Sequence, residues 1–144
     1  LLVGDGPELV KVRERVAEQG LADRVEFLGQ VENLEEVLPV ADVLLLPSLH
    51  ESFGLVALEA MACGVIPVAT NQGGAGEFIN DGLNGYLRHP EDVEGMSEAI
   101  LGVFGDDSLR QNLMEEGMRD AAADFGASCV VKKYLDLYDR LLGG

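Results

Sequence analysis

Short apolar runs alternate with amphipathic stretches along the chain up to Pro90. Each run is followed by glycine, proline or polar residues, which is typical of buried strands that end in turns. Between the runs, apolar residues recur three and four positions apart, as on the buried face of a helix. Alternating strands and helices predict an α/β fold with a Rossmann-like, doubly wound parallel sheet. The five predicted strands end near Val3, Leu28, Leu46, Ala69 and Leu87.

Beyond Pro90 the pattern predicts helices only. Two of them are predicted over residues 92–104 and 108–123, with Ser108 as the cap of the second. The last, over residues 127–142, has an apolar stripe that we expect to pack against its own domain. The stripe consists of Val130, Tyr134, Leu137, Tyr138 and Leu141.

The segment over residues 51–64 differs from the rest of the chain. It follows Val43–Leu46, which reads as a fully buried strand, so its first loop lies at the carboxyl end of that strand. Open α/β sheets bind ligands at this edge. Residues 55–63 are apolar except for Glu59, which predicts a helix buried over most of its circumference. A buried carboxylate must be paired or hydrogen-bonded, so we expect Glu59 to need a partner that the neighbouring sequence does not supply.

The composition is typical of a single globular domain over residues 1–144, and the net charge argues against several classes of partner. The chain is 47% hydrophobic and 25% charged, as in ordinary globular proteins. Its net charge of −16 argues against nucleic acid or an anionic membrane surface as a partner. Cys63 and Cys129 show no metal-ligand spacing, and a reduced pair in the cytoplasm is expected. We find no signal peptide and no apolar run that approaches the roughly 20 residues of a membrane span.

Two glycine turns predict an anion site at the sheet edge. A glycine begins the helix of residues 55–63, and the free N–H groups of such a helix terminus bind anions; these groups belong to Gly54, Leu55 and Val56. The alternative is that Ser52 caps the helix and nothing binds. Gly73 and Gly74 follow the next strand and form a second concavity at the same edge. Two such turns suit a diphosphate.

A third turn, Gly4-x-Gly6, is a weaker signal. It follows the first strand, as in a dinucleotide-binding fingerprint, but Leu9 stands where the third glycine would be. A tight turn between strand and helix is therefore an equal explanation.

Glu51 and Glu59 place two carboxylates on either side of the predicted anion site. Carboxylates accept hydrogen bonds from the vicinal hydroxyls of a ribose or hexose. Glycoside hydrolysis also uses two carboxylates, but both flank one bond, whereas here the anion site separates them. None of the ten lysines and arginines lies in either glycine loop. Because a diphosphate leaving group needs cationic stabilisation, one component of such a site is missing.

These motifs together resemble the C-terminal half of a GT-B glycosyltransferase of family 4, whose signature is a glutamate, seven residues and a second glutamate. That signature stands here as Glu51 to Glu59. The resemblance covers essentially the whole chain, through residues 3–7, 25–29, 41–43, 51–64, 73–74 and 84–87. It implies a fragment of a longer protein whose acceptor-binding N-terminal domain, cationic phosphate clamp and first sheet strand precede Leu1. The strands ending at Val3 and Leu46 would then leave a gap or pair directly, and the isolated fragment would be inactive.

By resemblance, the reaction is retaining transfer of a hexosyl group from a UDP-sugar, with no cofactor and no required metal. The resemblance assigns donor-sugar hydroxyls to Glu51 as the catalytic residue and the nucleotide ribose to Glu59. It assigns the diphosphate to backbone amides around Gly54, Leu55 and Gly74, and the base to the backbone near two further residues, Gln30 and Val31. The remaining expected donor-site residues are Gly4, Ser52, Phe53, Val56 and Gly73.

Within this bacterial family, residues 4–8 and 52–64 are most similar to enzymes that join N-acetylglucosamine to L-malate. UDP-N-acetylglucosamine and L-malate are therefore the expected donor and candidate acceptor. Two departures occur: Pro67 lies one residue late, and Gly76 replaces a proline, which loosens its loop. Two alternative functions stay open: a non-catalytic nucleotide-sugar binding module, and a family 4 enzyme with lipid or polysaccharide acceptors. A homodimer also stays open as the oligomeric state.

Overall fold

The computed structural model describes residues 1–143, which fall into two compact units with a boundary after Glu36. The first unit contains strand β1 (Leu2–Val3), helix α1 (Leu9–Glu18) and strand β2 (Phe27–Gly29). The two strands pair in parallel, with Leu2 opposite Phe27. Helix α1 ends because Gly20 adopts a φ of 67°, the left-handed conformation with which many helices terminate.

The second unit is built on a three-stranded parallel sheet. Its strands are β3 (Val43–Leu46), β4 (Ile66–Thr70) and β5 (Tyr86–Arg88), in the order β3-β4-β5. Helix α3 (Leu55–Ala62) connects the first two strands. A single α-helical turn, α2, and a 3-10 turn precede the sheet over Leu34–Val37 and Leu38–Val40; a further 3-10 turn covers Gly74–Glu77.

Three helices complete the chain: α4 (Val93–Gly105), α5 (Asp107–Phe125) and α6 (Ala127–Leu142). The cap of α5 is Asp106, whose carboxylate accepts hydrogen bonds from the N–H groups of Ser108 and Leu109. The prediction that Ser108 is the cap was wrong. Both Asp and Ser are good caps, and the helix begins one residue earlier than the apolar pattern indicates.

All five predicted strands are present, and parallel pairing with flanking helices confirms the Rossmann-like α/β class. The strands form two ladders, β1-β2 and β3-β4-β5, and no ladder joins β1 to β3 within residues 1–143. The expected direct pairing of the strands that end at Val3 and Leu46 is therefore not observed among these residues.

The core of the second unit surrounds β4, every residue of which is buried. Helices cover both faces of this central strand, as expected of a parallel sheet. On one side lies a cluster of Ala57, Met61, Ala75 and Phe78, and on the other are two clusters centred on Leu113 and Met96. Strand β3 was expected to be fully buried but is only partly covered, with Leu45 47% exposed, because it is an outer strand of this sheet.

Helix α6 contradicts the prediction that its stripe packs against its own domain. None of its residues is fully buried, and Tyr134, Tyr138 and Leu141 are exposed. Only Cys129 and Val130, near its start, are half-buried, since the helix contacts the unit chiefly where it leaves α5. No helix among residues 1–143 has the length and apolar character needed to cross a membrane.

Candidate functional site

The loop after β3 carries Glu51, whose carboxylate is oriented by its own loop. Ser48 Oγ donates to Glu51 Oε2 over 3.3 Å, and Ser52 N–H donates to Glu51 Oε1 over 3.0 Å. Glu51 is half-buried. An ionised carboxylate has about four acceptor positions, so two remain for a ligand. Glu51 can therefore accept hydrogen bonds from a ligand in a defined direction.

This loop is joined directly to the glycine turn that follows β4. Glu51 and Gly73 form an isolated parallel bridge, and Glu51 N–H donates to Gln72 O over 3.3 Å. Gly74 N–H donates to Ser52 O over 3.1 Å. The two predicted loops thus meet at the carboxyl edge of the three-stranded sheet.

Glycine is required at both positions of that turn. Gly73 has a φ of 130°, and a Cβ there would overlap the carbonyl oxygen of Glu51. A Cβ on Gly74 would lie 2.7 Å from Ser52 O and 2.8 Å from Phe53 Cα, closer than real Cβ atoms approach the backbone. The absence of side chains lets the two backbones touch.

The N-terminus of α3 lies next to Glu51 in the chain. Gly54 is its N-cap residue, with a φ of 86°, and its carbonyl accepts from the N–H groups of Ala57 and Leu58. Within residues 1–143, the N–H groups of Gly54, Leu55 and Val56 have no acceptor. Three N–H groups at the positive end of a helix form a site suited to an anion.

The structure differs from two expectations about this site: the side-chain cap of α3, and the availability of the Gly74 N–H. Ser52 does not cap α3, since no side chain does so among the described residues. The Gly74 N–H, which the resemblance assigns to a diphosphate, is already donated to Ser52 O. Of the donors that the resemblance assigns to the diphosphate, those of the helix terminus therefore stay available.

Glu59 is exposed, so the expectation of a buried carboxylate was wrong. Helix α3 buries Ala57, Ala60 and Met61, which places Leu55 and Glu59, four residues apart, on its open face. Leu55 is 61% exposed. The apolar composition of the helix concealed this face because a helix with small and large apolar residues on all sides has no preferred direction. Glu59 needs no partner for stability and is free to contact a ligand.

Asn84 is fully buried and has a structural role that its sequence position does not reveal. Its Nδ2 donates to Phe78 O over 3.0 Å and to Asp120 Oδ2 over 2.9 Å. Its Oδ1 accepts from Asn80 N–H over 2.7 Å. Asn84 thereby anchors the turn before β5 to helix α5. The sequence predicts only a turn at Asn-Gly, because the partner carboxylate lies 36 residues away.

Three predicted donor residues belong to the first unit. Gly4 has a φ of 117° and donates its N–H to Gly29 O over 2.7 Å; Gln30 and Val31 directly follow β2. A cleft of about 270 Å³ surrounds the turn over residues 3–9. It contains the Gly4-x-Gly6 motif at the carboxyl end of β1.

The cations of the second unit are already paired in several places. Arg88 contacts Asp81 over 2.7 Å, and Arg110 contacts Asp42 and Asp107. In the part of the chain that the structure describes, no group of three or more metal-binding side chains occurs.

A cavity of about 600 Å³ lies away from the glycine loops, between the turn at residues 80–83 and helix α5. Its lining includes Leu109, Asn112 and Glu116 but no predicted site residue. The candidate site is instead the edge where the start of α3 lies beside the half-buried Glu51; Gly54 is buried there, and Leu55 is exposed.

The fold and the edge site together define a Rossmann-like α/β protein in which a helix terminus with free N–H groups lies beside a carboxylate. Residues 1–120 match the family model described as "Glycosyl transferases group 1". The chain therefore belongs to this glycosyltransferase family, and it corresponds to the C-terminal domain of a GT-B fold.

Two curated relatives illustrate the family. The N-acetyl-alpha-D-glucosaminyl L-malate synthase of Bacillus anthracis is 40% identical over 142 residues, which are 99% of this chain and 37% of that protein. The lipopolysaccharide core biosynthesis glycosyltransferase LpsE of Rhizobium meliloti is 34% identical over 94% of this chain and 40% of its own length. The chain thus spans about two fifths of each relative.

A solved structure has the same architecture. Anabaena Alr3699/HepE in complex with UDP superposes with a TM-score of 0.89 at 26% identity, over 96% of this chain and 40% of that one. Its complex with UDP-glucose gives a TM-score of 0.87 over the same shares of the two chains.

Proposed function

We propose that this chain is the donor-binding part of a retaining family 4 glycosyltransferase that moves a hexosyl group from a UDP-sugar to an acceptor. N-acetylglucosamine is the proposed sugar and L-malate the proposed acceptor, as the name of the Bacillus anthracis relative suggests. The UDP and UDP-glucose complexes of the Anabaena protein support a nucleotide-sugar ligand. One observation carries the proposal: three free N–H groups of α3 begin three residues after the oriented carboxylate of Glu51.

The diphosphate would lie at the N-terminus of α3. The N–H groups of Gly54, Leu55 and Val56 supply hydrogen-bond donors, and the helix dipole adds about half a positive charge. Hydrogen bonds to charged groups contribute about 1.5–3 kcal/mol each. These backbone donors can hold a diphosphate without a lysine in the loop.

The two carboxylates would recognise the two ends of the donor. Glu51, held by Ser48 and Ser52, would accept hydrogen bonds from hydroxyls of the sugar. Glu59 lies five residues beyond Gly54, about 7.5 Å along the helix axis at 1.5 Å per residue. That rise is comparable with the distance from a diphosphate to its ribose, so Glu59 would accept from the ribose hydroxyls.

Neither a metal nor a cofactor is required in this proposal. Charge on the departing UDP must still be stabilised, and we assign that role to cations of the whole protein outside the two glycine loops. We propose the cytoplasm, where UDP-sugars are available, as the place of the reaction.

A second candidate, a nucleotide-sugar binding module without catalysis, is favoured by one feature: no lysine or arginine lies in either glycine loop. Transfer of sugar by the full-length protein, screened with UDP-sugars and with L-malate and other acceptors, separates the two. Measured transfer excludes the module.

Calorimetry with UDP and UDP-N-acetylglucosamine tests the assignment of the carboxylates in the full-length protein. We expect Glu59→Ala to weaken binding of both ligands about tenfold, because a hydrogen bond between a carboxylate and the ribose is lost. Glu51→Ala should leave UDP affinity nearly unchanged and weaken UDP-N-acetylglucosamine. Equal losses for both ligands in both variants would contradict the assignment.

A further inference from the structure

Three phenylalanine rings pack together beneath the candidate site. The ring centroids of Phe53 and Phe78 are 5.3 Å apart, those of Phe78 and Phe125 are 5.9 Å apart, and those of Phe53 and Phe125 are 6.1 Å apart. The two pairs that include Phe125 meet edge to face, a favourable arrangement of aromatic rings. We call these residues the aromatic triad.

Each ring of the triad comes from a different element. Phe53 directly precedes Gly54 in the donor loop, Phe78 directly follows the 3-10 turn of residues 74–77, and Phe125 is the last residue of α5. The chain separation between the first and the last ring is 72 residues. The triad therefore connects the two glycine loops to a helix that supplies no predicted ligand contact.

The first two rings contact the glycines of the opposite loop. A Cβ on Gly74 would lie 3.2 Å from Phe53 Cδ2, and a Cβ on Gly54 would lie 3.7 Å from Phe78 Cζ. Each ring thus lies beside a glycine of the other turn. Movement of either ring would change the position of the N–H groups at the start of α3.

Phe125 completes this arrangement. Phe78 is 5% exposed, and Phe53 and Phe125 pack against the same buried cluster. Phe125 is half-buried, and without its ring the other two rings would lose a packing partner that helps to hold them in place. The loop would then sample several positions, and the helix terminus would no longer present its donors in one geometry.

We propose that Phe125 is a positioning residue for donor binding, which acts on the helix terminus through Phe53 and Phe78. This inference rests on the proposed function of the α3 terminus as the diphosphate site. Phe125 itself is not one of the predicted donor-site residues. Its effect on UDP affinity should exceed what its effect on stability explains.

The test compares two core truncations in the full-length protein. Leu113→Ala is the matched control, because Leu113 is 1% exposed and belongs to a core cluster with Ile66 and Val103, apart from the aromatic triad. UDP affinity is measured by calorimetry at a temperature where each variant is folded, and Tm is measured in parallel. We expect both variants to lower Tm, Phe125→Ala to weaken UDP at least fivefold, and Leu113→Ala to leave UDP affinity within twofold.

Conservative variants keep the test decisive if Phe125→Ala does not fold. Phe125→Tyr retains the ring, so its UDP affinity should lie within twofold of that of the unmodified protein. Phe125→Leu retains apolar bulk without a ring and should bind UDP about threefold more weakly. If Phe125→Leu binds UDP as tightly as Phe125→Tyr, or if Phe125→Ala and Leu113→Ala weaken UDP equally, the proposed role is overturned. Failure of the unmodified protein to bind UDP would instead overturn the proposed function.

Discussion

Two glycine turns follow parallel strands in this molecule, and glycine serves a different purpose in each. At Gly73 and Gly74, an added Cβ would meet backbone atoms of the Glu51 loop. At Gly4 and Gly6, an added Cβ would meet nothing within 4 Å. The first turn uses glycine so that two backbones can touch, whereas the second needs it only for the φ of 117° at Gly4.

This difference separates two motifs that look alike in the sequence. Both are pairs of glycines after an apolar run, and both suit the carboxyl edge of a parallel sheet. The turn at residues 73–74 is bonded to the Glu51 loop through Gly74 N–H and Ser52 O, whereas Gly4 N–H donates to Gly29 O at the end of the paired strand β2. Alanine substitution at each glycine therefore separates two contributions to the stability of its turn. One is the close contact between backbones, and the other is the backbone conformation that glycine permits.

The largest effect is expected for Gly73→Ala. The methyl group would overlap the carbonyl oxygen of Glu51, and the φ of 130° is itself strained for alanine by about 1–3 kcal/mol. We expect the free energy of unfolding to fall by at least about 3 kcal/mol, near the upper range for single substitutions. We also expect UDP binding to be lost. Urea denaturation and calorimetry on the full-length protein provide the two measurements.

We expect Gly4→Ala to lower the free energy of unfolding by less than Gly73→Ala does, and Gly6→Ala to raise it. Gly4 would suffer conformational strain of about 1–2 kcal/mol without a clash. Gly6 has open space around it and no left-handed φ, so alanine should stabilise the protein by about 0.4–1 kcal/mol by restricting the unfolded chain. Urea denaturation of both variants tests the contrast. A Gly4→Ala loss as large as that of Gly73→Ala would remove the distinction between the two turns.

The sequence predicted the bounds of the strands and helices better than the burial of their residues. All five strands and the helices after Pro90 lie close to their predicted bounds, because apolar periodicity and turn residues are local signals. The exposure of Glu59 and of the α6 stripe was not predicted, since composition does not show which neighbours cover a helix. Strand β3 appeared fully buried for the same reason.

The candidate site was partly predictable. Glycines and glutamates at fixed spacing identified the two loops, and their meeting through Glu51 and Gly73 follows from adjacent parallel strands. The donation of Gly74 N–H to Ser52 and the contribution of Phe125 could not be foreseen. Both depend on contacts between residues more than twenty positions apart, for which a single sequence holds no local signal.

The proposed binding of a diphosphate by backbone N–H groups of α3 is tested most directly by Leu55→Pro. Leu55 is the first residue of α3, a position where proline is tolerated, and the preceding Gly54 lacks the Cβ that is one of the two groups a proline ring meets. The substitution removes one N–H group from the proposed site. Leu55→Ala is the control, because it removes the same exposed side chain and keeps the N–H.

Calorimetric titration of both variants with UDP measures the contribution of the Leu55 N–H to binding, and Tm is measured in parallel. We expect Leu55→Ala to bind UDP within about twofold of the unmodified protein. Leu55→Pro should bind UDP at least about tenfold more weakly, because one hydrogen bond to a charged group contributes about 1.5–3 kcal/mol. A folded Leu55→Pro variant that binds UDP as tightly as Leu55→Ala would contradict the account.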